Sequence, residues 1–407
     1  MIGGGPAGTM AALMAAEAGA EAALWERNNN LGKKLTITGK GRCNITNLAD
    51  IGDLVKNIPG NGAFLYGAFS RFSAEDTCNF FTSRGLSLKT ERGRRVFPCS
   101  DDAHEVVDTL GLVLERAGVE VKYHMRAKRL CLRQGKACGV YAYSGELHPA
   151  DAVIVATGGV TYPATGSTGD GYALAMEAGH TIIPPRPSLV PLETLETWPA
   201  EVSGLSLKNV EMQICDHAKI LDKAFGEMLF THFGISGPIV LSLSNIVTAA
   251  PNSGRGLSAL IDLKPALDDQ QLNARLLRNF QKFTRKHLIN SLDELLPASL
   301  IPVFVSLAGI DGHKPVNQLT REERTKIQTL FKALPLTIKG PRPIDEAIVT
   351  AGGICIKEID PKTMGSKIAS GLYFAGEVMD IDGLTGGYNL QAAWSSGFVA
   401  GKSAAEG

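Results

Sequence analysis

Short apolar runs alternate with helical repeats along the first third of the chain. Apolar and small residues at positions 10–18 predict a helix that ends at Gly19, and residues 21–25 form an apolar run typical of a strand. At positions 103–117 apolar residues recur at helical spacing, and Gly118 follows as a C-terminal cap. Further strand-like runs lie at positions 119–124, 129–133, 137–143 and 152–156. This alternation predicts a parallel sheet covered by helices on both faces.

The pattern changes in the second half of the chain. Prolines at positions 183–187 predict a linker, and residues 189–261 then contain short strand-like runs. Beyond Pro265 the apolar spacing becomes helical, and a second proline cluster follows at positions 341–343. The helical signals are the repeat Leu272, Leu276, Phe280 and Phe283, and the capping box of Thr320 with Glu323. The sequence therefore predicts a β-rich segment followed by a helical one.

The composition is that of an ordinary soluble protein, and the length suggests two or three domains. The 407 residues are 44% hydrophobic and 20% charged with a net charge of zero, so the whole molecule has no electrostatic preference for nucleic acid or membrane. The longest apolar stretch, residues 239–250, is too short and too polar to span a bilayer. Seven scattered cysteines without a C-x-x-C pair, and no secretory signal, indicate reduced thiols in a cytoplasmic protein without a metal site.

The first chemical motif is a glycine-rich loop at the start of the chain. Gly3, Gly5 and Gly8 fit the G-x-G-x-x-G pattern, in which a dinucleotide pyrophosphate approaches the backbone at a helix N-terminus, and Gly4 occupies an unconstrained position. Glu26 follows a predicted strand 18 residues after Gly8, where a carboxylate binds ribose hydroxyls. Only two residues precede Gly3, far fewer than a central strand needs, which leaves open a natural start upstream.

Other glycine-rich segments are expected to surround the same ligand. Residues 31–47 combine glycines, hydroxyls and cations, and residues 153–159 end a strand in two glycines. Near the C-terminus, residues 371–377 repeat that pattern, and residues 386–391 open a helix. The nucleotide-binding pattern occurs once, and a second ligand-facing strand completes it about 370 residues later. This arrangement favours one long ligand with two ends, FAD bound non-covalently. It disfavours a nicotinamide cofactor with its own nucleotide-binding fold.

Several motifs together resemble a three-domain bacterial flavoprotein family that includes aminoacetone oxidase and the bile-acid dehydroxylation flavoprotein. The motifs are GGGPAG, GKKLTITGKGRCNITN, ATGG, GSTGDG, FTHFGISGP, TAGGI and LYFAGEVMDIDG with GGYNLQ, and they cover essentially the whole chain. The resemblance implies an α/β fold with a discontinuous Rossmann-like FAD-binding domain, an inserted β-barrel-like domain and a small helical domain. The expected boundaries are 1–186 with 345–407, 187–264 with 336–344, and 265–335.

The resemblance and the motifs also give a set of candidate cofactor-binding residues. They are Gly3, Gly5, Pro6, Ala7, Gly8, Glu26, Arg27, Lys34, Gly41, Arg42, Cys43, Asn44, Ala127, Thr157, Gly158, Gly376, Glu377, Gly387, Asn389, Leu390 and Gln391. Many flavoproteins carry Gly-Asp where this chain has Gly376-Glu377. The longer side chain reaches further, so Asp380 is expected to share the ribityl contact.

The sequence contains no recognisable set of acid and base residues for catalysis. His232 and Tyr388 are the catalytic candidates, because His232 is titratable in a glycine-punctuated turn before a predicted helix and Tyr388 lies where the flavin ring is expected. Structural roles remain open for both, and nothing marks Cys43 as redox-active. The expected reaction is hydride transfer between FAD and a small organic substrate.

Three classes of function stay open: an enzyme that carries out this reaction, an RNA-modifying flavoprotein and a flavin-binding regulator. The enzyme is either an NAD(P)H-linked reductase of an activated C=C bond, with NAD(P)H as a transient reductant, or an oxygen-dependent amine oxidase of the aminoacetone type. An RNA-modifying flavoprotein would use the basic segment 264–342, which carries 13 Lys/Arg against 7 Asp/Glu. The phenylalanines of this segment lie mostly at core spacing, so no nucleic-acid partner is expected. No membrane partner is expected either. The third is a flavin-binding regulator without turnover, and the sequence leaves open whether the chain is a monomer or a dimer.

Overall fold

The computed structural model describes residues 1–407, the side chain of Ser253 excepted. Contacts divide the chain into two compact units, one made of Met1–Ser188 with Ile344–Gly407 and the other of Leu189–Pro343. Both ends of the chain therefore belong to one unit. The second unit contains the β-rich segment and the helical segment together, and the finer division into three domains stays a prediction.

The first segment of the chain, up to Ser188, contains six helices and ten strands. The helices are α1 (Pro6–Glu17), α2 (Ile51–Lys56), α3 (Tyr66–Arg71), α4 (Ala74–Thr82), α5 (Ala103–Arg116) and α6 (Asp170–Glu177). The strands are β1 (Ala23–Trp25), β2 (Thr46–Asn47), β3 (Leu88–Glu91), β4 (Arg95–Pro98), β5 (Glu120–Lys122), β6 (Ala127–Arg133), β7 (Lys136–Ala142), β8 (Leu147–Pro149), β9 (Val153–Val155) and β10 (Ile182–Ser188).

The inserted segment and the C-terminal segment supply the remaining elements. In the insert these are β11 (Leu192–Thr194), α7 (Trp198–Glu201), β12 (Ser206–Asp216), β13 (Lys219–Thr231), β14 (Gly234–Ser236), α8 (Pro238–Ala249), β15 (Ser258–Asp262), α9 (Asp269–Lys282), α10 (Ile301–Ala308), α11 (Arg321–Lys332) and β16 (Leu334–Pro341). At the C-terminus they are β17 (Val349–Ile354), β18 (Leu372–Phe374) and α12 (Tyr388–Glu406).

A parallel sheet forms the centre of the first unit. The strand β1 pairs with β5, and β9 pairs with β18, all in parallel. Ile2 joins these two pairs, because it forms parallel bridges to both Trp25 and Val155. The resulting order is β18, β9, Ile2, β1, β5, so the short N-terminal strand occupies the centre of the sheet. The predicted parallel sheet and Rossmann-type fold are confirmed.

The terminal helix packs on the nucleotide-loop helix through small residues. A β-carbon on Gly397 would overlap the carbonyl oxygen of Ala7, and one on Gly401 would overlap that of Ala11. These residues repeat every four positions, so they lie on one face of each helix. The missing side chains let the two backbones touch, and the C-terminal helix α12 is thereby fixed beside α1.

The prediction of a linker at residues 183–187 is wrong. This segment belongs to β10, which pairs antiparallel with β17. The register shifts between Ile183 and Arg186, so the two prolines between them fall in the irregular stretch. Prolines cannot donate to a ladder, and an irregularity is where a strand tolerates them.

The second unit is a closed barrel with helices. Its strands follow the order β11, β14, β13, β12, β15 and β16. One apolar core includes both barrel residues such as Met212 and Ile261 and helical residues such as Leu276 and Phe331. The predicted capping box of Thr320 with Glu323 is present at the start of α11.

The helix expected after the turn of His232 is present, although it lies within a segment otherwise predicted to be strand-like. The stretch 239–250, expected to be strand-like, lies almost entirely in α8, which has Gly237 before it and a proline in its first turn. Such a proline favours a helix start, a signal that outweighs the local β-branched residues. Within the described residues no helix is long and apolar enough to cross a membrane.

Candidate functional site

The glycine-rich loop contains two glycines that the packing of the backbone requires and one that leaves open space beside it. A β-carbon on Gly3 would lie 2.5 Å from the carbonyl oxygen of Ala156, and one on Gly8 would overlap the carbonyl oxygen of Gly3. At Gly5, the residue before α1, no described atom lies within 4 Å of that position, and its φ of −81° suits any residue. The first and third glycines are thus needed by the fold, and the second leaves the helix N-terminus open to an anion.

Gly4 is not the unconstrained position that the motif suggests. A β-carbon there would lie 2.6 Å from Cδ2 of Leu31 and 2.8 Å from Oε2 of Glu26. The Gly4 amide also donates a hydrogen bond to that same oxygen, at 2.9 Å. That prediction is wrong, because Gly4 supports the carboxylate of Glu26 directly.

Glu26 lies at the carboxyl end of β1 with its side chain buried. One carboxylate oxygen accepts from Gly4, and the other accepts from the amide and the side chain of Asn28 at 2.7 and 2.8 Å. A carboxylate offers about four acceptor positions. Three are used by the protein, so the remaining one suits a ribose hydroxyl.

The loop with the sequence GSTGDG closes on the end of β1. Nη1 of Arg27 donates to Oγ1 of Thr168 at 2.6 Å, and Arg126 forms two bonds to Asp170, at 2.6 and 2.9 Å. The hydrogen bonds from Arg126, and next the one from Thr168, lower the pKa of the Asp170 carboxyl below its ordinary range. Ala127 follows Arg126 at the start of β6 and is buried. The candidates Arg27 and Ala127 therefore lie in one region with Glu26.

Lys34 and Glu377 join the two ends of the chain. Nζ of Lys34 lies 2.9 Å from Oε2 of Glu377 and donates to the hydroxyl of Thr161 at 2.8 Å. The other Glu377 oxygen accepts from the Thr350 amide at 2.8 Å. Glu377 thus has protein partners on both oxygens, and the expected additional acceptor, Asp380, accepts from Asn61.

We expect a measurable coupling between Lys34 and Glu377. Each side chain is about one-fifth exposed, at 21% and 22%, so the pair is partly shielded from water. In a double-mutant cycle of Lys34→Met and Glu377→Gln, a coupling free energy of about 1–2 kcal/mol should appear in denaturant unfolding. The exposed pair Lys56 and Asp53 is the matched control, expected near zero. Equal couplings for the two pairs would show that Lys34 does not hold the C-terminal strand.

The segment GRCN contributes unequally to the site. Arg42 is bound by Glu91 and Asp101, so its charge is already compensated. Cys43 has a left-handed backbone with φ of 56°, and its side chain is fully buried. Burial raises the pKa of its thiol to about 12, so the thiol stays protonated and packs in the core. Gly41 has open space around it.

The C-terminal turn rests on the segment ITN. A β-carbon on Gly387 would lie 2.5 Å from the carbonyl of Thr46, and the Gly386 carbonyl accepts from Asn47 at 2.9 Å. The side chain of Asn389 bonds the amide and carbonyl of Gly383 at 2.7 and 2.8 Å. Leu390 packs partly buried against the core of the first unit. These contacts fix the backbone at the start of α12.

Gln391 is the centre of a buried hydrogen-bond network. Its side-chain oxygen accepts from the hydroxyls of Thr46 and Thr77 at 2.5 and 2.9 Å. Its side-chain nitrogen donates to the Phe72 carbonyl and to Ser395 at 3.0 and 2.9 Å. The side chain is saturated by protein groups, so it supports the turn from behind. Thr77 lies on α4 and carried no sequence signal for this role.

The two catalytic candidates lie in different units. His232 is exposed at the turn between β13 and β14, where its ring packs edge-on against Phe233 at 5.0 Å. Tyr388 is the first residue of α12 and is half-buried. Burial, and next the charge of Asp53, raise the pKa of its phenol above the ordinary value. Tyr388 therefore keeps its proton at neutral pH beside the helix N-terminus.

The residues of this site fit FAD. Gly376 lies against Ala7, since a β-carbon on Gly376 would be 2.8 Å from that of Ala7, which brings the C-terminal strand to the nucleotide helix. Oδ1 of Asn44 is a buried acceptor without a protein partner, as a ligand-facing group would be. The hydroxyl of Thr157 also lacks a partner but lies against Gly171, and Gly158 beside it has a left-handed φ of 72°. Open space at Gly5 and the spare acceptor of Glu26 complete the fit.

Comparisons with known proteins find relatives along almost the whole chain. The family described as HI0933-like protein Rossmann domain matches residues 1–403. A 3-dehydro-bile acid delta(4,6)-reductase of Clostridium scindens is 34% identical over 100% of this chain and 98% of its own length. A ribosomal RNA dihydrouridine synthase of Haemophilus influenzae is 30% identical over 98% of this chain and 96% of its own length.

Among solved structures, the fold is shared with a steroid enzyme. The 3-ketosteroid-delta4-(5alpha)-dehydrogenase of Rhodococcus jostii has a TM-score of 0.51 at 15% identity, covering 99% of this chain and 95% of its own. At that identity the likeness concerns the fold alone. The family match and the relatives confirm the prediction made from the motifs: the chain belongs to the HI0933-like Rossmann flavoprotein family and is an FAD-dependent oxidoreductase.

Proposed function

We propose that this enzyme saturates a carbon–carbon double bond conjugated with a carbonyl group, with NAD(P)H as the transient source of the hydride. The observation that carries the proposal is the 34% identity, over the whole chain, to a protein named as a bile-acid delta(4,6)-reductase. The second relative is named for dihydrouridine, which is uridine with its C5=C6 bond, conjugated to a carbonyl, saturated. Both names thus describe saturation of an activated C=C bond.

The residues of the site have defined roles in this reaction. FAD supplies hydride transfer when it is bound. The N-terminus of α1 at Gly5 binds the diphosphate, and Glu26 orients the adenosine ribose. Lys34 and Glu377 hold the loop against the C-terminal strand. The N-terminus of α12, held by Gln391 from behind, stabilises negative charge that develops beside it.

Tyr388 is the proposed proton donor for the carbon that does not receive hydride. Its raised pKa keeps the phenol protonated, so activity should be maintained up to the ordinary tyrosine pKa of about 10 and fall only above it. Tyr388→Phe should lower turnover roughly 100-fold while flavin absorbance is retained. Tyr66→Phe, at a tyrosine 58% exposed, is the matched control and should turn over like the parent. Parental turnover in Tyr388→Phe would leave this residue a purely structural role.

The reductase and the amine oxidase differ in what they consume and release. Purified holoenzyme is incubated with NADH or NADPH and a panel of carbonyl-conjugated alkenes, with consumption of the nicotinamide and production of hydrogen peroxide followed together. The proposal predicts nicotinamide consumption that depends on the alkene and matches the saturated product formed. Peroxide formation driven by an amine, without alkene reduction, would instead establish the oxidase.

A second candidate substrate is uridine in ribosomal RNA, and the surface of α9 favours it. Arg275, Arg278 and Lys282 lie on one face of this helix, since their positions differ by three and four residues. Lys282 forms an ion pair with Glu294, and its hydrogen bond, together with the charges of Arg275 and Lys286, lowers the pKa of that carboxyl below its ordinary value. Among the described residues Arg275 and Arg278 form no ion pair.

The aromatic residues of this segment differ from expectation at one position. Phe280, Phe304 and Phe331 are buried, as their spacing predicts. Phe283 is partly exposed, with the ammonium of Lys286 lying 4.3 Å from its ring centre. Cations beside a partly exposed aromatic ring are a combination that single-stranded RNA sites use, since the phosphates meet the cations and a base stacks on the ring.

RNA binding tests this candidate separately from reduction of small molecules. The double variant Arg275→Glu with Arg278→Glu should weaken binding of a ribosomal RNA fragment and lower the salt slope by about 1.5 to 2. The matched control, Arg321→Glu with Lys326→Glu on α11, makes the same charge change on another exposed helix. Equal weakening by both pairs, or a parental salt slope near zero, would eliminate this candidate.

A further inference from the structure

Two cysteines meet on a hairpin of the first unit. The strands β6 and β7 pair antiparallel and are joined by Gln134 and Gly135, both in the left-handed conformation that two-residue hairpins prefer. Cys131 pairs with Gly139, whereas the next residue, Leu132, pairs with Ala137. Cys138 is therefore an extra residue in the ladder. Such a bulge changes the direction of a side chain, and here it brings Cys138 to Cys131.

The absence of a side chain at Gly139 lets the third strand of this sheet, β8, pack close beside the bulge. Gly139 lies opposite Cys131 with φ of 144°, and a β-carbon on it would overlap the carbonyl oxygen of His148 on β8. The thiol of Cys138 donates to the sulfur of Cys131 at 3.0 Å and also faces the Cys131 carbonyl oxygen at 3.2 Å. Cys131 is 6% exposed, and Cys138 is more accessible.

We propose that Cys131 and Cys138 form a dithiol site that hydrogen peroxide converts reversibly into a disulfide. The sulfur atoms need to move only about 1 Å to reach bonding distance. The environment favours one thiolate within the pair: the hydrogen bond from Cys138 lowers the pKa of Cys131, and the charge of Arg133 acts in the same direction. The other five cysteines have no such partner among the described residues.

The reaction balances with peroxide as the only co-reactant. One thiolate attacks an oxygen of hydrogen peroxide and the O–O bond breaks. Hydroxide is the leaving group, and the attacking sulfur becomes a sulfenic acid. The second sulfur then attacks the first, forms the S–S bond and displaces the oxygen as water. In sum, two thiols and one peroxide give one disulfide and two waters. A dithiol reductant reverses the change by thiol exchange.

Peptide mapping of the holoenzyme tests the site directly. Trypsin cleaves after Arg133 and Lys136, which lie between the two cysteines, so a disulfide keeps two otherwise separate peptides together. After treatment with one equivalent of hydrogen peroxide and alkylation of free thiols, the linked peptides should appear. The intact protein should lose about 2 Da and two alkylation sites, and dithiothreitol should restore both sites.

Two variants test which cysteines react: one removes a partner of the pair, and the other is a control. In Cys138→Ser the linked peptides cannot form, and Cys131 should instead accumulate a sulfenic acid that a 1,3-dione reagent traps. In Cys99→Ser, which removes an exposed cysteine elsewhere, linkage should occur as in the parent. The proposal is overturned if peroxide leaves Cys131 and Cys138 fully alkylated while Cys99 oxidises, or if either residue links to another cysteine instead. The mapping of the parent protein decides the matter even if Cys138→Ser fails to fold.

Discussion

Replacing Gly5 by valine should give a folded protein that purifies without flavin colour. The space beside Gly5 is open and its φ of −81° suits valine, so the substitution causes no internal clash. The new side chain occupies the position where the diphosphate meets the amides of α1. Losing two charge-assisted hydrogen bonds, each about 1.5–3 kcal/mol, should weaken FAD binding by roughly two to four orders of magnitude. Flavin absorbance per protein and titration of the apoprotein with FAD measure the loss.

The matched control for this variant is Gly111→Val. Gly111 lies in α5, and no described atom is within 4 Å of its β-carbon position, so both variants add the same side chain in open space. Gly111→Val should retain flavin. Gly4 is unsuitable as a control, because a β-carbon there displaces Glu26. Tight FAD binding by Gly5→Val would refute the assignment of this loop to the diphosphate.

The second large effect is expected at Gln391. Gln391→Leu keeps the side-chain volume but leaves the hydroxyl of Thr46 buried without its acceptor, whereas the hydroxyl of Thr77 can still donate to the Ser73 carbonyl. One unsatisfied buried hydroxyl costs about 1–3 kcal/mol, so the free energy of unfolding should fall by that amount in urea titration. Gln281→Leu, an exposed glutamine on α9, should change it by less than about 0.5 kcal/mol. Equal stability of the two variants would show that the buried network contributes little.

Local patterns were sufficient to predict much of the fold. The helix after Gly5 and the strand before Glu26 follow from apolar periodicity and from a motif whose geometry is set within a few residues. The capping box at Thr320 is likewise local. The parallel sheet could be predicted because strands covered on both faces are apolar throughout.

Contacts between distant segments could not be predicted in this way. Gln391 bonds Thr46 and Thr77, which lie 345 and 314 residues away, and nothing near either threonine indicates this. Gly4 appeared unconstrained because the motif describes only the ligand, whereas Leu31 and Glu26 pack against it from elsewhere. The prolines of β10 indicate a linker until the irregular pairing with β17 is known. The glycine-rich segments could therefore be recognised from the sequence, whereas the long-range contacts that hold them could not.

Anaerobic single-turnover spectroscopy tests the central claim of an FAD-dependent C=C reductase most directly. The holoenzyme is first reduced with one equivalent of NADH or NADPH, which bleaches the visible flavin absorbance, and a carbonyl-conjugated alkene is then added without oxygen. The account predicts return of the flavin absorbance together with one equivalent of saturated product, and slow return in Tyr388→Phe. Flavin that stays bleached with every alkene, and recovers its absorbance only on admission of oxygen, would contradict it.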